Sequence, residues 1–86
     1  MSVSAANLWK LSFSDLAALC QEMGHNAASS MDPALREEAR RLYGRWADVL
    51  AIDLHEDGAA ERQAGMAAAL RKRTIELALK SGTAQE

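Results

Sequence analysis

The residues of this chain that could do chemistry gather in one place, Asp53-Leu54-His55-Glu56-Asp57-Gly58. Asp53 and Asp57 stand four residues apart and would share one face of a helix, while His55 points elsewhere. A helix-borne metal site needs ligands at i and i+4, or support from a second element. The other histidine, His25, falls near the end of a different helix, and an up-down-up bundle would keep it far from His55. The cluster is therefore read as capping and solvated turn residues. A metal-dependent activity centred on Asp53, His55 and Asp57 ranks last among the functional readings. Acids are disfavoured at a helix C-terminus. Asp57 and Glu61 are accordingly assigned to the start of the next helix, with Asp57 or Gly58 as its cap.

Nucleophilic chemistry fares no better. Cys20 is the single cysteine, so no intramolecular disulfide can form. It sits on an apolar stripe, and His25, five residues on, projects to a different side. That pattern describes a buried structural thiol. There is no glycine-rich phosphate loop and no G-x-S-x-G elbow. The sequence is read as non-enzymatic, with no cofactor and no metal.

A third chemistry, phosphate contact, has a candidate basic patch in Arg62, Arg71, Lys72 and Arg73. Acids are interspersed, no aromatic stacking platform accompanies the patch, and the net charge is −2. The helices are also too long for an ordinary helix-turn-helix pair. Nucleic acid therefore ranks behind protein as a partner.

The elements that would position these residues are helices. Ser12 can cap a first long helix over residues 13–28, with Asp15 completing a capping box and Leu11 stapled onto Leu16. Its apolar positions, Leu16, Leu19, Cys20, Met23 and Ala27, have helical spacing. Asp32 and Pro33 open a second helix over 33–54, with a stripe through Leu35, Ala39, Leu42, Tyr43, Trp46, Val49, Leu50 and Leu54. A third, over 59–80, carries Ala60, Ala64, Ala67, Leu70, Ile75, Leu77 and Leu79, and Gly82 is placed to stop it. Residues 1–11 form a partly ordered leader, 12–81 a single helical domain and 82–86 a disordered tail. The fold expected is all-α: a small three-helix antiparallel bundle. The second and third helices form its long hairpin, the first packs on that hairpin, and a second subunit is a candidate to complete the core.

With 86 residues the chain is one domain with little stability to spare. Alanine is the commonest of its apolar residues, and it buries little area per residue. No basic n-region precedes an apolar run at the N-terminus, and no run approaches a membrane span, so the chain is expected in the cytoplasm and off the membrane.

The first long helix is unusual in another respect. From Leu16 to Met31 its only charged residue is Glu22. A helix small or apolar on all sides tends to be buried on more than one face. Trp9, Ala17, Ala18, Met23, Gly24, Ala28 and Met31 are the candidate interface, tryptophan being enriched at such sites. The function expected is a small non-catalytic protein–protein interaction module (a regulator, inhibitor or assembly factor), a homodimer and/or bound to another protein.

Overall fold

The computed structural model describes residues 3–25 and 32–85. In chain order the elements are β1 (Val3–Ser4), α1 (Ala5–Leu8), α2 (Phe13–His25), α3 (Pro33–Leu50), α4 (Ala59–Lys80) and β2 (Ala84–Gln85). The fold is all-α, and the two short strands do no more than tie the chain ends together. Among the described residues no helix is long and apolar enough to cross a membrane.

The helix starts follow from local chemistry. Ser12 Oγ accepts a hydrogen bond from the Asp15 amide at 3.1 Å, and Leu11 and Leu16 both pack into the core. Asp32 Oδ1 accepts from the Ala34 amide at 2.8 Å, with Pro33 at the first helical position, where its missing N–H costs nothing. The remainder of the expected first helix, to residue 28, lies outside the described residues.

Helix α3 ends at Leu50, four residues short of the expected Leu54. The chain tightens through Ala51 N–H to Ala47 O and Ile52 N–H to Val49 O. Asp53 Oδ1 then accepts from the His55 amide at 2.9 Å, an Asp-centred turn that competes with further helix. Leu54 is consequently exposed rather than part of the buried stripe. Of the two caps expected for α4, Gly58 holds the N-cap position rather than Asp57, in a left-handed conformation at φ +75° and with no side-chain hydrogen bond.

Of the tail expected over 82–86, Glu86 lies outside the described residues. Gly82, at φ +76°, turns the chain past the end of α4, and Ala84 is buried. β2 then pairs in parallel with β1, Val3 opposite Ala84 and Ser4 opposite Gln85. Residues 82–85 are therefore ordered by the leader, which in turn packs on α4 and buries Leu8.

Helix α2 runs antiparallel to α3, and α3 antiparallel to α4. The α3–α4 hairpin expected from sequence is present, and the most extensive backbone pairing is that of α2 with α3. Small residues explain that pairing. A Cβ on Gly24 would stand 2.8 Å from Arg40 Cγ, and Ala17 and Ala39 are buried. The core is built on Trp46, Leu8, Leu16, Val49, Thr74 and Cys20, the largest fully buried side chains among the described residues. Phe13 lies against Trp46 with ring centroids 5.7 Å apart.

Candidate interaction surface

A groove runs between α2 and α3. Ser14, Ala17, Ala18 and Gln21 form one wall, and Tyr43, Ala47 and Leu50 form the other, enclosing about 230 Å³. Both walls follow helical spacing, i, i+3/i+4, i+7, so each helix presents one continuous strip. Among the described residues no carboxylate, ammonium or guanidinium lines the groove. Tyr43 and Leu50 stand at its edge, 38% and 43% exposed, large apolar groups that the chain itself leaves uncovered.

Of the interface residues expected from sequence, Ala17 and Ala18 lie in this groove. Met23 and Gly24 are buried inside the chain, Met23 beside Ser81 at the far end of α4 and Gly24 against α3, which removes them from the surface. Trp9 is 53% exposed, but it belongs to the leader on α4. Ala28 and Met31 fall outside the described residues. Tyr43, Ala47 and Leu50 complete the groove, and two of them had been assigned to the core stripe. A finer angular reading separates them: Leu42, Trp46 and Val49 define the buried arc, and Tyr43 and Leu50 sit one residue, about 100°, to its side.

The basic patch is not a single feature. Arg71 Nη1 donates to the carbonyls of Trp9 at 2.7 Å and Leu11 at 2.9 Å, and its guanidinium lies 5.8 Å from the centre of the Phe13 ring. It is a clamp holding the leader against α4. Arg62 pairs with Glu56 at 3.3 Å, both side chains more than half exposed, a contact of small worth. Lys72 and Arg73 remain exposed.

The acidic turn and the cysteine are also placed. Asp53 is engaged by the His55 amide and Glu56 by Arg62, while His55 itself is exposed. Among the described residues no three His, Cys, Asp or Glu side chains stand close enough to hold a metal ion. Cys20 is buried, with Sγ 3.6 Å from Thr74 Oγ1, and Trp46 Nε1 donates to the same Thr74 oxygen at 2.9 Å. Burial pushes the thiol pKa up, partly offset by hydrogen bonding to Thr74 and Trp46. The thiol is thus held protonated and out of solvent, the reverse of a reactive nucleophile.

Fold and surface together define an all-α helical bundle with a clamped leader and an uncharged groove. No family model, no curated protein and no solved structure matches the chain.

Proposed function

We propose that this chain is a small non-catalytic protein–protein interaction module that assembles as a homodimer through the α2–α3 groove. One observation carries the reading. The same face holds both a trough of small residues, Ala17, Ala18 and Ala47, and two apolar knobs, Tyr43 and Leu50. A two-fold axis brings each patch onto its own copy, so a face carrying both shapes can complement itself. The lack of charge in the groove removes the like-charge repulsion that normally opposes self-pairing. A regulator, inhibitor or assembly factor of the cytoplasm fits such a module, and the free buried thiol suits a reducing compartment.

The test is solution mass by light scattering after size exclusion, across a range of concentrations. A dimer is expected for the native chain. Ala18→Glu and Leu50→Glu, each placing a charge in the groove, should give monomers with helicity retained. A native chain that remains monomeric at every concentration overturns the homodimer.

A further inference from the structure

We propose that the cleft between α3 and α4 binds a small monocarboxylate with an apolar body, such as an aryl or branched-chain acid. The cleft holds about 310 Å³ and is lined by Arg45 and Asp48 of α3 and by Met66, Ala69, Leu70 and Arg73 of α4. That volume falls at the small end of the range for ligand sites, roughly 300–1,000 Å³.

The two arginines set the charge of the ligand. Elsewhere on these helices Arg40 pairs with Glu37, Arg62 pairs with Glu56 and Arg71 holds two carbonyls. Arg45 and Arg73, like Arg36 and Arg41, make no ion pair or side-chain hydrogen bond among the described residues, but these two alone line the cleft, one from each wall. A planar guanidinium matches a carboxylate through two parallel hydrogen bonds. The apolar lining sets the body of the ligand. Leu70 is buried, Met66 is 45% exposed although it is a large hydrophobe, and the small Ala69 between them leaves room for a ring or branched chain.

Two boundaries make the cleft a discrete site rather than part of a long groove. One turn before Met66, Gln63 Nε2 donates to the Val49 carbonyl at 3.1 Å and bridges the two helices. At the other end Arg73 adjoins Glu38 and Glu76, whose carboxylates repel further negative charge. Asp48, one turn from Arg45, acts likewise on the near lip and disfavours a dianion.

The experiment is a titration of the full chain with sodium phenylacetate, followed by backbone amide chemical shifts. Saturable shifts confined to residues 45–48 and 66–73 are expected. Phenylacetamide, the same body without the charge, should bind about tenfold more weakly, as should phenylacetate to Arg45→Gln or Arg73→Gln. Malonate should bind more weakly than phenylacetate. Ala69→Phe narrows the cleft without touching the charges and should abolish binding, which keeps the test sound if an arginine variant loses stability. Leu50→Glu should leave binding intact, so that this site and the α2–α3 groove fail independently. Shifts that do not saturate, or that are equal for phenylacetamide or for Ala69→Phe, overturn the proposal.

Discussion

Two seams flank α3, and they are built differently. Across the α2–α3 seam the backbones approach closely because Gly24, Ala17 and Ala39 present almost no side chain. Across the α3–α4 seam the spacing is set by large groups: Trp46 reaches Thr74, and Gln63 reaches the Val49 carbonyl. The first seam is crossed by the Arg40 side chain, whose Nε donates to the Gly24 carbonyl at 3.1 Å, and it carries an apolar groove on its outer side. The second contains a buried hydrogen bond and a charged, open cleft. The difference teaches that alanine content alone says little about packing. Helix α4 is rich in alanine, yet Ala60, Ala64, Ala68 and Ala69 are exposed, and only Ala59, Ala67 and Ala78 are buried. Small residues draw helices together only where they face one another.

The largest effect should come from breaking the α3–α4 seam at its pivot. Trp46 is fully buried and supports Phe13, Thr74 and the core around them. Trp46→Ala should cost about 3–5 kcal/mol. Small domains are stable by as little as ~5 kcal/mol, which leaves this variant at most ~2 kcal/mol and only marginally folded at room temperature. Thr74→Val, nearly isosteric, leaves the Trp46 N–H buried without an acceptor and should cost about 1–3 kcal/mol. Urea denaturation measures both. If Thr74→Val were as stable as the native chain, the hydrogen bond would contribute nothing to the seam.

The α2–α3 seam should respond to bulk rather than to polarity. Gly24→Val must displace Arg40 Cγ, which a Cβ would already meet at 2.8 Å, and should cost about 1–3 kcal/mol. Gly44 provides the internal control. It lies in the middle of α3 with nothing within 4 Å of an added Cβ, so Gly44→Ala should stabilise by up to ~1 kcal/mol through helix propensity alone. Equal and opposite thermal shifts in these two variants would place the cost of Gly24 in the contact, not in the helix. A Gly24→Val variant as stable as Gly44→Ala would show that the seam is looser than its geometry.

The same contrast explains what could be read from the sequence. The helix starts at Ser12 and Asp32 were legible because a cap is a local interaction, settled within three residues. The all-α class was legible because the apolar period repeats along each helix. The end of α3 was not, since no glycine or proline marks it and Leu54 continues the apolar spacing for one more turn. Nor were the partners of long side chains. Arg71 looked like its neighbours Lys72 and Arg73, yet its carbonyl acceptors lie about 60 residues away in the chain, at Trp9 and Leu11. The α2–α3 groove was half legible. The lack of charge on α2 was plain and pointed to Ala17 and Ala18. That Met23 and Gly24 serve the chain's own core, and that Tyr43 and Leu50 do not, depends on which neighbour each strip faces.

The smallest expected effect tests where the two seams meet. Cys20 reaches from α2 to Thr74, the residue that receives Trp46 across the α3–α4 seam. Its pKa in the folded chain is raised by burial above the ordinary thiol value of 9.0. Below that value both folded and unfolded chains keep the proton, and the thiol contributes no pH dependence. As the pH rises through it, the unfolded chain loses its proton first while the folded chain still holds it. The native state then binds more protons, so stability falls with pH until the folded thiol also ionises. Cys20→Ala lacks this term. Measured by urea denaturation between about pH 8 and 10, the native chain should lose stability more steeply than the variant. Parallel slopes would mean that the thiol ionises as easily in the folded chain as in the unfolded one. The junction between the seams would then be open to water, and the close α2–α3 contact would not seal the core behind it.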